Sequence, residues 1–387
     1  MVDIVFCHSM EPRLPPELWL RTLALMPRAD LLSLRAVDKA LHALATPAIF
    51  RELKCTSAAR STAALRALIG SSVGEHVEKI EYRDWHAGKR VGRISDVPTY
   101  YDEQITVRED LVAIIALLPA LPALHSLAFV FDPTVNFGNI LRGHLALQGN
   151  VFAALAALPS PLSLRTLVLD NLLPYTDDYP ALLAIFRGLQ DLTVTCHHAN
   201  WNPANAFYSI TLPTLLRAPA DTLTSLSLRS TRDIGFPPGI SLSGLRYPRL
   251  THLSLECIVF DENTGVEEFI LTHAATLTSL SLNYCRIARP ERGGIPGRPW
   301  VVVYGALSAG LDNLRHLKVE EESLDGGQGG DYVLRYAMTV RSWGPQSTAN
   351  WHASSGGDKV ADAAALEAFS AVVLRRRLEW AHSSIRV

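Results

Sequence analysis

The sequence of 387 residues predicts an α/β fold in which short parallel strands alternate with outer helices. Three observations support this prediction. The hexapeptide Leu-Thr-Ser-Leu-Ser-Leu occurs twice, at 223–228 and 277–282. A relaxed form, apolar at its first, fourth and sixth positions, recurs at intervals of about 20–50 residues, the spacing of repeat architectures. Helical-looking apolar stretches, such as 266–273 and 300–307, precede most copies.

Each copy predicts one strand, because the alternation at its end has the period of a strand with one buried face. A strand, an outer helix and a further strand make up the leucine-rich-repeat unit, which the chain resembles over 77–322. The steps between copies are uneven, so the array is degenerate. The copies begin at Val77, Leu124, Leu164, Leu189, Leu223, Leu250, Leu277 and Leu314.

Composition narrows the classes of function. Hydrophobic residues make up 48% and charged residues 19% of the chain, which is typical of a globular protein. The formal net charge of −2 gives no electrostatic reason to expect nucleic acid or an anionic membrane as a partner. The 5 cysteines are scattered, which favours reduced thiols and a cytoplasmic or nuclear location. The apolar stretch 111–131 is interpreted as a buried helix and strand rather than a membrane span.

The N-terminal segment differs in kind from the repeats. Pro15 and Pro16 suit a helix entry, where a missing N–H costs nothing. Pro27 ends that helix, and Asp30 is placed to cap the next one. Three short helices cannot bury so many Leu, Met and Trp side chains internally, so a partner is expected to cover part of this surface.

This segment resembles an F-box, the motif that binds the Skp adaptor of Skp–cullin–F-box ubiquitin ligases. Thr22 and Leu41 depart from the family, whose members more often carry Ile and Trp there. The layout also looks like the large F-box families of mushroom-forming fungi. The resemblance rests on Leu14-Pro15-x-Glu17-Leu18, Asp30-Leu31-Leu32-x-Leu34-Arg35, Val37-x-Lys39 and Phe50. It implies that the adaptor contacts are Leu14, Pro15, Leu18, Leu23, Met26 and Pro27, supported by Leu31, Leu34 and Val37.

The predicted organisation has four parts: an F-box at 10–52, a connecting helix within 53–76, a curved solenoid at 77–322, and a C-terminal strand and capping helix at 323–387. The final helix is predicted to start at Asp358 or Asp362, and Arg375 to Arg377 would complement its dipole. Its buried face is predicted to carry Leu366, Phe369, Val373 and Leu378.

Patterns for catalysis or metal binding are weak. Ser72 lies in a Gly-x-Ser-x-Gly sequence, but the strand before it and the helix after it are not predicted. Cys196, His197 and His198 are adjacent, yet neighbouring strand residues point to opposite faces, and no second ligand pair has zinc spacing. We therefore expect no catalytic residue, no metal and no cofactor.

The repeats instead predict a protein-binding surface. In each copy the third and fifth residues, and the residue after the motif, point away from the leucine side onto the concave face. A long polar insertion at 84–108 is the alternative recognition element. The predicted target contacts are Ser225, Ser227, Arg229, His252, Ser254, Glu256, Ser279, Ser281, Asn283, His316, Lys318 and Glu320.

The sequence thus predicts a non-catalytic substrate-recognition subunit of a ubiquitin ligase. Its F-box would dock on the Skp adaptor and, through it, on the cullin, while the solenoid holds a target protein. The alternative is a leucine-rich-repeat scaffold for protein interactions that acts outside any ligase.

Overall fold

The computed structural model shows an α/β protein with an open, largely parallel sheet. Leu14, His198 and the insertion at 84–108 lie outside the residues that it describes. The described residues are 15–37, 39–56, 59–83, 111–131, 138–159, 162–174, 180–197, 206–234, 239–289, 298–320, 336–340, 350–354 and 359–384.

Three helices form the N-terminal bundle: α1 (Pro16–Leu25), α2 (Arg28–Arg35) and α3 (Lys39–Phe50). Pro27 rather than Asp30 occupies the position before α2, so the predicted cap is wrong. The Asp30 carboxylate lies in the first turn instead, where it complements the helix dipole. A small hydrophobic cluster of its own, separate from the main core, holds the bundle together.

The sheet begins one strand earlier than predicted. Strand β1 (Glu52–Thr56) forms within the predicted connecting segment, before helix α4 (Ala59–Ile69), and pairs in parallel with β2 (Lys79–Arg83). Ser72 starts a 3-10 turn (Ser72–His76). Helices α5 (Gly138–Ala156), α6 (Pro180–Phe186) and α7 (Leu212–Arg217) separate the strands that follow. These are β3 (Ser126–Val130), β4 (Thr166–Leu172), β5 (Asp191–Cys196) and β6 (Ser225–Ile234).

The C-terminal repeats keep the same register. Strands β7 (His252–Phe260), β8 (Ser279–Asn283) and β10 (His316–Glu320) align so that the fourth residue of each copy lies beside its counterpart. Helices α8 (Val266–Thr272) and α9 (Trp300–Gly310) precede β8 and β10. The leucines of these strands belong to one core that runs from Leu53 to Val373.

The backbone turns a corner just past the repeat motif in three of the copies. Asn171, Cys257 and Tyr284 each lie two residues beyond the last leucine of a copy, and each has a positive φ, of 57°, 56° and 53°. After the second corner, Val259 and Phe260 of β7 pair with β9 (Arg286–Arg289) instead of β8. The repeats therefore support a second, shorter set of parallel pairs beyond the corner.

The C-terminal part differs from the predicted single strand. Strands β11 (Tyr336–Val340) and β12 (Asn350–Ser354) form an antiparallel pair that continues from β9, not from β10. The long helix α10 (Lys359–Ser384) packs beside α9. Its Phe369 and Val373 are buried as predicted, whereas Leu378 is exposed, because its last turns extend past the core.

Within the described residues, no helix combines the length and the apolar character needed to cross a membrane.

Candidate protein-binding surfaces

The polar face of the sheet is formed by the twelve predicted target-contact residues on β6, β7, β8 and β10. Parallel pairing places them in three rows that cross these strands in the same order. The first row is Ser225, His252, Ser279 and His316. The second is Ser227, Ser254, Ser281 and Lys318, and the third is Arg229, Glu256, Asn283 and Glu320.

The charges of the polar face compensate one another. Arg229 Nε lies 3.6 Å from Glu256 Oε2 on the neighbouring strand and donates a hydrogen bond to Ser227 Oγ at 3.0 Å. Lys318 Nζ lies 2.6 Å from Glu320 Oε1. Such solvent-accessible pairs are weak, so a partner can rearrange them at little cost.

A ladder of threonines lies directly before strands β6, β7 and β8. Thr224 Oγ1 donates to the carbonyl of Gln190, Thr251 Oγ1 to that of Thr224, and Thr278 Oγ1 to that of Thr251, at 3.0 to 3.1 Å. Each hydroxyl adds a bond to a carbonyl of the preceding repeat that also accepts backbone N–H groups. The ladder explains why the second residue of the repeated hexapeptide is Thr in both copies. The sequence analysis assigned no role to this position, although Thr recurs there.

The ladder also fixes one histidine of the polar face. His252 Nδ1 lies 2.7 Å from Thr251 Oγ1. Nδ1 is therefore engaged by Thr251, and the exposed imidazole offers Nε2 to a partner.

Asn283 is a correction to the predicted contact set. Its side chain is buried, and its Oδ1 accepts a hydrogen bond from Ser281 Oγ at 3.1 Å. It lies where the chain approaches the corner at Tyr284, so its amide supports the end of the strand and is closed to a partner.

The N-terminal bundle provides a second surface. Four large apolar side chains on or directly after α1 and α2 are exposed: Leu18 by 45%, Leu25 by 87%, Leu32 by 48% and Val37 by 67%. Leu18 and Leu25 lie seven residues apart on α1 and so share one side of it. The set overlaps the predicted adaptor contacts only at Leu18 and Val37.

The remaining predicted adaptor contacts divide into three groups. Pro15 and Pro27 are exposed, and Met26 and Leu34 are half-buried. Leu23 and Leu31 are buried, packed with Ala45 and Ile49 in the bundle's own cluster. The prediction that Leu23 and Leu31 face a partner does not fit this packing, because both side chains point toward α3.

The cysteine side chains noted in the sequence are held within the fold. Burial raises the pKa of the Cys196 thiol to about 12, partly offset by a hydrogen bond with Tyr208. Burial also raises the pKa of Cys55 to about 11, and Cys285 Sγ donates to the carbonyl of Leu255 at 3.6 Å. Among the described residues, no three His, Cys, Asp or Glu side chains are grouped to hold a metal ion.

Comparison with known proteins identifies no family: no protein-family model matches this chain, and neither does any curated protein sequence at a significant level.

Proposed function

We propose that this protein is the target-recognition subunit of a Skp–cullin–F-box ubiquitin ligase, with an N-terminal F-box and a curved leucine-rich-repeat solenoid. Such a subunit makes no bond itself. It contributes proximity, by holding a target near the ubiquitin-charged enzyme. No cofactor is needed for this role.

The observation that carries the proposal is the apolar surface of the N-terminal bundle. Leu18, Leu25, Leu32 and Val37 are exposed within a short segment whose own cluster is complete without them. Large exposed apolar groups on so small a unit indicate a protein partner. A hydrophobic surface on the Skp adaptor suits this patch, and the F-box resemblance of the same helices supports that choice.

The solenoid assignment is supported by the regularity of the repeats. Parallel strands follow one another in register, helices alternate with them, and side chains such as Thr251 link each repeat to the one before it. Contact restricted to neighbouring repeats is the physical basis of a solenoid.

Adaptor binding is tested with the double variant Leu18→Asp/Leu25→Asp in the full-length protein. Two desolvated, unpaired carboxylates at the interface should abolish capture by a purified Skp adaptor. The matched control is Leu374→Asp/Leu378→Asp, because these leucines are also exposed, on α10 at the other end of the chain. Undiminished adaptor capture by the first variant would reject the bundle surface as the docking site.

The pair suggested by the sequence alone, Leu23→Asp with Met26→Asp, is less suitable. Leu23 is buried in the bundle cluster, so a carboxylate there should unfold the bundle. Loss of binding would then follow for a reason unrelated to the interface.

The second candidate, a repeat scaffold outside any ligase, is favoured by the same packing of Leu23 and Leu31. A bundle that buries these leucines itself can act simply as a cap on the sheet. Co-purification separates the candidates. The ligase subunit should retain both the Skp adaptor and the cullin, whereas the scaffold should retain neither.

We propose that a target protein binds at the C-terminal end of the polar face. His252, His316 and Lys318 are exposed there and give the surface chemical character. The variant His252→Ala/His316→Ala/Lys318→Ala should weaken target capture and leave adaptor binding unchanged. The competing variant deletes residues 88–104. If that deletion abolishes capture while the triple variant still binds, recognition lies in the insertion.

A further inference from the structure

The outer edge of β10 is open in the described part of the chain. Strand β10 pairs with β8 on one side, and no described strand pairs with its other side. Helix α10 nevertheless lies beside α9 and β10. Since a helix precedes the strand in the earlier units α8–β8 and α9–β10, α10 stands where the helix of a further unit would be.

Hydrogen bonding shows which backbone groups are open. His316 N donates to the Thr278 carbonyl, and the Glu320 carbonyl accepts from Tyr284 N, so 316, 318 and 320 face β8. In a parallel pair the intervening residues face the opposite edge. The N–H and C=O groups of Leu317 and Val319 therefore point outward. The equivalent groups of Leu280 and Leu282 are used by β10 itself.

Side-chain burial at this edge is also incomplete. Leu280 and Leu282 are each 1% exposed because strands flank them on both sides. Leu317 and Val319 hold the same positions in the repeat but are only partly buried. One more strand would cover them as β10 covers β8.

We infer that β10 binds an extended segment of the target protein, which adds to the sheet as the next parallel strand. Strand addition supplies main-chain hydrogen bonds, and alternate side chains supply the specificity. The segment would carry apolar residues beside Leu317 and Val319, facing the core. The inference rests on the proposed function only in naming the partner as a ligase target.

The charge of Lys318 favours an acidic residue at the adjacent position of the segment. The outer side of β10 carries His316, Lys318 and Glu320, and Lys318 Nζ lies 2.6 Å from Glu320 Oε1 within the strand. A cross-strand ion pair, Arg229 with Glu256, already occurs on this face. Because solvent-accessible pairs are weak, an acidic residue beside Lys318 can add a cross-strand pair to the one with Glu320. Opposite charges across strands are favourable and like charges are not.

The core side of β10 is less covered than that of β1. At the other end of the sheet, β1 keeps its core-facing Leu53 and Cys55 buried and carries Glu52 and Lys54 in a network with Lys79 and Glu81. Strand β10 also carries mixed charges, but its core positions are only partly buried. Because buried core positions discourage further pairing at an edge, β10 is the more open of these two edges.

The test uses synthetic peptides of residues 276–284, the sequence that forms β8, with Ser281 replaced by Glu in one and by Lys in the other. Fluorescence anisotropy with the full-length protein should show binding of the Glu peptide about fivefold tighter than that of the Lys peptide. Failure of the folded protein to bind either peptide would overturn the inference.

The variant Val319→Pro tests whether the peptide binds at the outer edge of β10. Proline removes the outward N–H and is tolerated on an edge strand, while the bonds to β8 remain. Binding of the Glu peptide should weaken at least about tenfold with an unchanged melting temperature. The control Val319→Thr keeps the N–H and should bind like the parent. Equal binding by the proline variant would reject β10.

The parent protein and the Val319→Pro variant also distinguish two other outcomes. If light scattering shows a dimer that Val319→Pro dissociates, the edge belongs to a second copy, and the inference fails. Adaptor capture should be identical for Val319→Pro and the parent. If the parent captures no adaptor but binds the Glu peptide, the ligase role fails, while strand addition at β10 stands.

Discussion

Arg376 lies over the carboxyl end of α9, where its Nη1 donates a hydrogen bond to the carbonyl oxygen of Leu311 at 2.9 Å. Its Nη2 reaches the Ser308 carbonyl at 3.2 Å and Asp312 Oδ1 at 3.0 Å. At the opposite end of α9, Asp362 Oδ1 accepts from Val301 N at 2.8 Å. The two charged groups of α10 therefore complement both poles of the α9 dipole.

Replacing Arg376 with Gln should lower the free energy of unfolding by about 1–3 kcal/mol, because charge-assisted bonds to helix-end carbonyls are lost. Arg375→Gln is the matched control, since Arg375 is exposed and its ion pair with Glu379, another exposed side chain, is long at 3.9 Å. Thermal or denaturant unfolding measures both. Equal effects would mean that the guanidinium of Arg376 does not cap α9.

Leu280→Ala should destabilise the repeats by about 2–5 kcal/mol, because the side chain is buried between β7 and β10 and its removal leaves a cavity. Ser281→Ala should cost less, about 0.5–1.5 kcal/mol, because Ser281 lies on the polar face and loses one hydrogen bond, to Asn283 Oδ1. A thermal melt compares the two variants. Comparable losses at both positions would contradict the observed strand register.

The pH dependence of stability should contain a contribution from His273. Burial lowers the pKa of this imidazole, although a bond to the Phe269 carbonyl opposes the effect. Its Nε2 accepts from Tyr247 N at 2.9 Å, which requires the neutral ring. The unfolded chain therefore takes up a proton first, and stability is complete above the unfolded pKa and is lost as pH falls below it.

We expect wild-type protein to lose up to about 1.4 kcal/mol more than His273→Gln between pH 7.5 and 5.5. Chemical denaturation at both pH values measures this difference. The control His316→Gln makes the same replacement at an exposed ring. Parallel pH profiles for wild type and His273→Gln would exclude this role.

Gly265→Ala should destabilise the protein by about 2 kcal/mol or more, because Gly265 has a φ of 60° and an added Cβ would overlap Ser243 Oγ. Gly305→Ala is the control: apart from its chain neighbours and the backbone of its own helix, no atom of the described residues lies within 4 Å of the added Cβ. Gly305 lies inside α9, so the change should stabilise by about 0.5–1 kcal/mol. Differential scanning calorimetry compares both. Stabilisation in each case would show that the turn at Gly265 is relaxed.

The repeat strands could be read from the sequence because each carries its own signal. Leu226, Leu253 and Leu280 align in the structure as their shared position in the motif predicts. Strands β1 and β9 carry no such signal. Both strands are short and are defined by their neighbours. Strand β1 pairs with β2, and β9 pairs with the part of β7 that lies beyond the Cys257 corner.

The bundle surface was less predictable for a related reason. The apolar positions of α1 are close together, and only the placement of α3 decides that Leu23 is buried while Leu25 is exposed. Charge pairing on the polar face likewise depends on strand neighbours. Arg229 and Glu256 are distant in the chain and meet only because β6 and β7 share a register.

The equal spacing of the threonine ladder has a consequence for how such a chain changes over generations. Thr224, Thr251 and Thr278 follow one another at intervals of 27 residues, and the hydroxyls of Thr251 and Thr278 each donate to the backbone carbonyl of the preceding threonine. Recombination between the coding stretches of two adjacent copies, such as those that begin at Leu223 and Leu250, would remove or insert one unit in frame. The hydroxyl arriving at the junction would meet the same carbonyl as the one it replaced. The polar face could thus grow or shorten by one strand while both ends of the chain keep their structures.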